Sequence, residues 1–252
     1  MSIWSRLGEI LSSAVSQGFS AVVEAARTFF EGDPITRKQV AFSIAIVALS
    51  AKAAKADGIV TDDEIAAFHE LFEVPPEEMR NVNRLYNLAM QDVAGFEHYA
   101  AQVKRLFPDD DDILRDVLNA LFYIAKADGV IHELELQFIE VVAEIFGISG
   151  RTFEQIKLRN VVPEEGDPYC ILGANREWDF AQLKKHYRKL VSENHPDKMV
   201  SRGVPQEFLK IANDRLAEIN FAWDQIEKEH SLKLTASQDL DNSSNQSGET
   251  IA

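Results

Sequence analysis

His195, Pro196 and Asp197 place an imidazole and a carboxylate two positions apart across a proline. For catalysis, the carboxylate would have to orient the imidazole, and the imidazole would have to serve a nucleophile. The sequence offers no such partner. It has no Gly-x-Ser-x-Gly elbow and no glycine-rich phosphate loop. The other histidines are scattered at 69, 98, 132, 186 and 230. Neither His69-Glu70 nor His132-Glu133 has a second histidine four residues after the first, as a zinc-protease helix requires. Proline fixes its own φ, donates no backbone hydrogen bond and disfavours helix at the residue before it. The tripeptide is therefore expected to be a stiff tip after a helix that ends at His195, with His195 and Asp197 held apart and pointing outward as contact groups. The chain is expected to be no enzyme and to carry no cofactor.

Acidic turns are the second candidate for chemistry. Residues 53–60, Ala-Ala-Lys-Ala-Asp-Gly-Ile-Val, recur as residues 124–131, Ile-Ala-Lys-Ala-Asp-Gly-Val-Ile, at an offset of 71. Glu64 and Glu135 follow at the same offset, and each copy runs on into an apolar segment, with Phe68 in one and Phe138 in the other. Two helix–turn–helix units related by a pseudo-twofold are the simplest reading. Asp-Gly followed by Glu has the spacing of the second half of a calcium loop. The first half is missing, since Ala53 and Lys55, or Ile124 and Lys126, stand where carboxylates belong. A structural turn is the expectation, with glycine supplying a left-handed cap. The run Asp109 to Asp112 reads as a solvated helix start, favoured by the helix dipole. Cys170, the single cysteine, rules out an internal disulfide and suits a reducing compartment. Its apolar neighbours predict a small core residue.

These groups have to be positioned by helices. The 252 residues suit one large or two modest domains, and 46% hydrophobic content is ample for a core. From residue 35 to 160 apolar residues recur at three and four, with no alternation. The predicted helices are Thr36 to Lys55, Asp62 to Phe72, Pro75 to Asp92, Phe96 to Phe107, Asp109 to Ala127, Glu133 to Phe146 and Ser149 to Arg159. The longest apolar run, Val40 to Ala51, is too short to span a membrane. Residues 1–30 have no signal-peptide pattern. Ile3 to Phe30 forms a candidate amphipathic helix whose stripe includes Ile3, Leu7, Ile10, Leu11, Val15, Phe19, Val22, Ala26 and Phe29. Such a helix either packs on its own domain or lies in a membrane interface.

Val161 to Gly166 reads as a linker. Asp167, Pro168 and Gly173 then predict a very short capped helix. Asp179 with Gln182 forms a capping box for the next helix, whose buried seam is Phe180, Leu183, Tyr187 and Leu190. Lys184, Lys185, Arg188 and Lys189 make a basic patch of two overlapping i,i+4 pairs. A third helix opens at Pro205, and its stripe of Phe208, Ala212, Leu216, Ile219, Trp223 and Ile226 should pack antiparallel on that seam. The polar residues after Ser231 predict a disordered tail. The net charge is −15, and it is uneven. Residues 34–165 hold 13 basic and 23 acidic side chains, whereas 167–230 hold 10 and 11. A chain this acidic is not expected to bind nucleic acid. Against that background the basic patch reads as a docking surface.

The paired Lys-Ala-Asp-Gly turns in an all-helical stretch, about residues 36–160, resemble the TerB fold, first named from tellurite-resistance proteins. That resemblance implies Asp57, Asp62, Asp63, Asp128 and Glu135 as candidate metal ligands, and a helical interaction module. Residues 167–229 resemble the J domain of DnaJ-type co-chaperones. The matching residues are Asp167 to Gly173, Leu183 to Leu190, Asn194 to Lys198, and Ile219-Asn220 with Ala222-Trp223. The order of the two modules is similar to the DjlA family of bacterial co-chaperones, and Leu190 to Lys198 followed by Gly203-Val204-Pro205 is particularly alike. Two departures stand out: residues 1–30 are too polar for the membrane-spanning helix with which that family typically begins, and the Ser-rich tail is extra.

The resemblance implies an all-α chain, with a TerB-like bundle at 34–160 carrying the pseudo-twofold repeat and a J-domain hairpin at 167–230. It implies a DnaK-type chaperone as partner, with unknown clients. The partner's ATP hydrolysis would be promoted by His195, Pro196 and Asp197 together with Lys184, Lys185, Arg188 and Lys189. Asp197 would engage a partner arginine. The expected location is the cytoplasm, with residues 3–30 offering peripheral contact to the cytoplasmic face of the inner membrane. The alternative function is a metal-responsive stress protein that binds through its acidic turns.

Overall fold

A computed structural model describes residues 2–14, 18–29, 33–56, 58, 60–92, 95–161 and 167–246. Among the described residues every regular element is helical. The chain divides into two compact units. The first joins residues 1–163 to 194–214, and the second joins 164–193 to 215–252.

The first unit is built around α3 (Pro34–Ala54). Asp33 caps it through the backbone amides of Ile35 and Thr36, and Pro34 takes the first helical position. A helix apolar on all sides has to be enclosed by others. The run Val40 to Ala51 that sequence marks as the longest apolar stretch is accordingly buried almost throughout, by α1 (Ile3–Ala14), α2 (Phe19–Phe29), α5 (Met79–Gln91), α6 (Phe96–Leu106), α7 (Asp111–Ala125) and α8 (Glu133–Phe146). Each fully buried Leu, Ile or Phe contributes about 1.5–3 kcal/mol. α4 (Asp62–Leu71) and α9 (Arg151–Val161) pack on α7.

The single helix expected over residues 3–30 is two. α1 and α2 are separated at Gly18, whose φ of +89° lies in the left-handed region where a side chain is strained. Their stripe, Ile3, Leu7, Ile10, Leu11, Phe19, Val22 and Ala26, lies in the unit's own core. Trp4 is fully buried and donates to the Phe72 carbonyl at 3.2 Å. These apolar side chains are thus covered by the unit's own helices in this structure. The side chains of Val15 and Phe29 lie outside the described residues. No described helix is long and apolar enough to cross a membrane.

The repeat appears as α3-turn-α4 and α7-turn-α8. Gly58 and Gly129 hold φ of +91° and +95°, the left-handed turn that sequence requires of them. The core residue that matches Phe68 is Ile139, at the repeat offset of 71, and both are fully buried. Phe138 lies one position earlier and pairs with Phe96 instead, ring centroids 4.3 Å apart.

The second unit has a small core of Tyr169, Leu172, Leu183, Ile219, Ala222, Trp223 and Ile226. α10 (Pro168–Leu172) is capped by Asp167 and ends at Gly173 in the left-handed conformation, as its sequence predicts. Cys170 departs from expectation and is exposed. In five helical residues, Tyr169 and Leu172 take the buried side and Cys170 falls opposite. Its thiol donates to Asp167 Oδ2 at 3.3 Å, and that bond, with partial burial and the nearby carboxylate charge, raises its pKa. The linker expected at 161–166 lies outside the described residues except for Val161, the last residue of α9.

α11 (Phe180–Glu193) begins with the expected box: Gln182 N donates to Asp179 Oδ1 at 2.7 Å, and Asp179 N donates to Gln182 Oε1 at 3.0 Å. Tyr187 stacks on Trp223 at 4.7 Å with ring planes 9° apart, and its hydroxyl donates to Asn220. α13 (Leu209–Gln246) continues past Ser231, where composition predicts disorder. No Gly or Pro interrupts residues 206–246, and helix propagation adds one bond per residue once nucleated. Residues 247–252 lie outside the described residues.

The predicted stripe of the third helix is divided. Ile219, Trp223 and Ile226 join the α11 seam, but Phe208 and Ala212 belong to the core of the first unit.

Candidate functional site

The tip is more ordered than a loop. α11 ends at Glu193, and His195 caps a new helix, α12 (Pro196–Ser201), with Pro196 at its first position. The missing N–H of Pro196 costs nothing there, because a helix's first amides have no internal partner. His195 Nδ1 accepts from the Asp197 amide at 3.2 Å and stands 3.6 Å from Asp197 Oδ2. The two side chains are therefore not held apart, as the intervening proline predicts; the cap brings them together. Both face solvent, with side-chain exposures of 53% and 91%.

α12 closes through a glycine turn. Gly203 has φ +91°, which lets Gly203 N reach Val200 O at 3.0 Å and Val204 N reach Met199 O at 3.1 Å. Met199 and Val204, the apolar pair that accompanies such a cap, are both buried in the large core. A Cβ on Gly203 would also press on the Lys38 side chain at 3.1 Å.

The basic residues lie on α11, on the side away from the Leu183 seam. Lys185, Arg188 and Lys189 are exposed, and Lys184 is half-buried with its amine 6.0 Å from the Phe180 ring centre. Lys189 pairs with Glu193 at 3.7 Å. Lys185 and Arg188 make no ion pair among the described residues, so their charge is available to an acidic partner surface. His186 faces inward and bonds the Leu172 carbonyl at 2.8 Å.

Two of the five candidate metal residues, Glu135 and Asp128, make structural bonds. Glu135 accepts from the His132 amide at 2.8 Å, and at the matching position Glu64 accepts from the Thr61 amide at 2.7 Å and its hydroxyl at 2.8 Å. Both carboxylates are buried against their own helix N-termini. Asp128 accepts from Val130 N at 3.0 Å and lies 3.9 Å from His132 Nε2. Asp62 and Asp63 are exposed in the first turn of α4. Asp57 lies outside the described residues. Among the described residues no three His, Cys, Asp or Glu side chains form a group able to hold a metal.

Sequence reasoning missed the residues that anchor the tip's downstream flank. Arg202 donates to Asp110 at 2.8 Å, Glu207 Oε1 accepts from the Ile3 amide at 2.8 Å, and Lys210 lies 3.7 Å from Glu70. Asp110, one of the run read as solvated, is the cap residue of α7 and takes this ion pair. One signal was present: Met199 and Val204 bracket Gly203 at the spacing of a buried helix stop.

Residues 43–158 match the model of the tellurite resistance protein TerB family, and residues 167–231 match the DnaJ domain. The chain is 29% identical over 222 residues to the co-chaperone protein DjlA of Photobacterium profundum, covering 78% of this chain and 80% of that protein. It is 26% identical over 231 residues to the DjlA of Aliivibrio fischeri, covering 79% and 82%. Against the DjlA of Yersinia pestis it is 31% identical over 150 residues, covering 48% and 54%. No solved structure matches the chain at a significant level. The chain is thus DjlA-like, with a TerB domain followed by a DnaJ domain.

Proposed function

We propose that this chain is a J-domain co-chaperone that docks on a DnaK-type chaperone and stimulates its ATP hydrolysis, with no chemistry on its own residues. The observation that carries this is the tip: in a DnaJ domain, a helix-capped His195-Pro196-Asp197 turns an almost fully exposed Asp197 to solvent. An exposed carboxylate fixed at a helix start is suited to a charge-assisted bond with a partner arginine. Lys184, Lys185, Arg188 and Lys189 would meet an acidic partner surface and speed the encounter. The co-chaperone name of the relatives supports the same reading. The domain organisation we infer is a recruiting or localising TerB-like part, about residues 34–160, and a J domain at 167–230. On this reading the protein works in the cytoplasm, a reducing compartment that suits its single free cysteine.

Single-turnover ATP hydrolysis by a DnaK-type chaperone tests this. Asp197→Asn and His195→Gln are each expected to abolish stimulation while the helical circular dichroism is retained. Full stimulation by either variant refutes the proposal.

A further inference from the structure

A six-residue helix does not persist in water, because nucleation is unfavourable and so few bonds follow it. α12 therefore owes its existence, and His195 its cap geometry, to what packs around the chain. That packing comes from the first unit. Phe208 lies among Trp4, Phe42 and Phe72, with ring centroids 5.7, 5.2 and 4.7 Å away. Met199, Val204 and Ala212 enter the same core. Arg202, the cap residue of α12, is tied to Asp110 at 2.8 Å, with side-chain exposures of only 33% and 17%. Glu207 receives the Ile3 amide, and Lys210 reaches Glu70. Residues 199–212 are thus fastened from α1, α3, α4 and α7, while the tip just before them is left exposed.

We propose that the first unit is a clamp that pre-orders the His195-Pro196-Asp197 tip, with Arg202 as the positioning residue nearest to it. This rests on the co-chaperone reading and adds a role for the N-terminal part of the chain: it builds the tip as well as recruiting. A tip already in its docking geometry loses little entropy on binding. When only a fraction of molecules hold that geometry, the apparent dissociation constant rises by the reciprocal of the fraction. Loosening the clamp should therefore weaken docking and leave the saturated rate alone. Exposure of the tip argues against a latch that hides it.

The test compares the full chain with Arg202→Glu, which sets a carboxylate against Asp110, and Arg202→Lys, which keeps the charge. Stimulated single-turnover hydrolysis is titrated with each. Arg202→Glu is expected to raise the half-saturating concentration roughly fivefold with the same maximal rate, and Arg202→Lys to recover most of the loss. Amide hydrogen exchange without partner gives an independent reading: residues 198–202 should lose protection in Arg202→Glu and keep it in Arg202→Lys, while α3 is unchanged. Unaltered half-saturation or unaltered exchange in Arg202→Glu overturns the clamp, and a raised maximal rate overturns it in favour of a latch. Asp197→Asn in the same titration separates the two levels. If it still stimulates fully, the co-chaperone reading fails. If it is inactive and Arg202→Glu behaves as wild type, only the clamp fails.

Discussion

The two units of this chain are built on cores of different size. The first encloses α3 with helices on every side and is rich in aromatic contacts, including Trp4, Phe42, Phe68, Phe72, Phe107 and Phe208. Among the described residues the second buries a smaller set, with Tyr187 stacked on Trp223. The tip and its downstream flank draw on the large core, and the basic face of α11 draws on the small one. A large core tolerates the loss of one member; a small one has little surplus, since stability rises with the surface a unit can bury. The His195-Pro196-Asp197 tip is thus followed by deep packing, and the charged face of α11 stands on shallow packing.

The largest expected effects break this comparison most directly. Phe208→Ala and Trp223→Ala each remove a buried aromatic, at a cost of about 3–5 kcal/mol. In the first unit that cost should loosen residues 198–212 and leave α3, α7 and α8 protected. In the second it should exceed the unit's own stability and unfold it locally, while the first persists. Amide hydrogen exchange resolved along the chain reads both. Were Trp223→Ala to leave α11 protected, or Phe208→Ala to unfold the whole first unit, the unequal division between the cores would be wrong.

Much of this division was hidden in the sequence for a definite reason. Periodicity marks a stripe but not what covers it. Phe208, Ala212, Ile219, Trp223 and Ile226 form one continuous pattern, yet the chain assigns the first two to one core and the rest to another. Local signals fared better, because the interactions behind them span only a few residues. The Asp179–Gln182 box, the Asp167–Gly173 helix and the left-handed Gly58 and Gly129 turns all stand as their residues dictate. The tip was legible as a motif, but its geometry was not: Pro196 stops α11 and also opens α12, and only burial of Met199 and Val204 decides that a second helix forms. Arg202 and Asp110 are 92 residues apart, beyond any spacing rule.

Helix caps give a smaller, sharper contrast. Thr61→Ala in the first unit and Asp179→Ala in the second should each cost about 1 kcal/mol. On α4, covered on one face by Phe68 and Leu71, the loss should appear only as a lower melting temperature. On α11 the same loss should fray the turn that carries Phe180 and Leu183. Docking through the basic residues would then weaken severalfold, read as a higher half-saturating concentration in stimulated hydrolysis. Equal effects of the two substitutions on that concentration would mean that α11 does not depend on its cap.

Acid separates the two units by the least amount, and by the pH range in which each loses stability. In the first, burial pushes the His69 imidazole below its ordinary value, partly offset by a hydrogen bond with Asn83. Below pH of about 6.5 the unfolded chain then holds a proton that the folded one does not, so stability falls as pH drops through that value towards the lowered folded pKa. In the second, burial raises the Asp167 carboxyl, but bonds from Cys170, Arg176 and the Tyr169 amide outweigh it and leave it below the ordinary value. There the folded chain binds fewer protons only at much lower pH, and stability present above about pH 4 is lost beneath it. His69 and Asp167 are both half-buried, so both effects are fractions of a pairwise interaction in a dry site. The first unit holds Trp4 alone of the three tryptophans, so a Trp4→Phe chain reports the second by fluorescence. Between pH of about 7 and 5 the transition of the first unit should move down in temperature, and His69→Gln should flatten that shift. The Trp4→Phe signal should hold steady until the carboxylate range is reached. A second-unit transition that moves together with the first across that window would show that the two cores unfold as one.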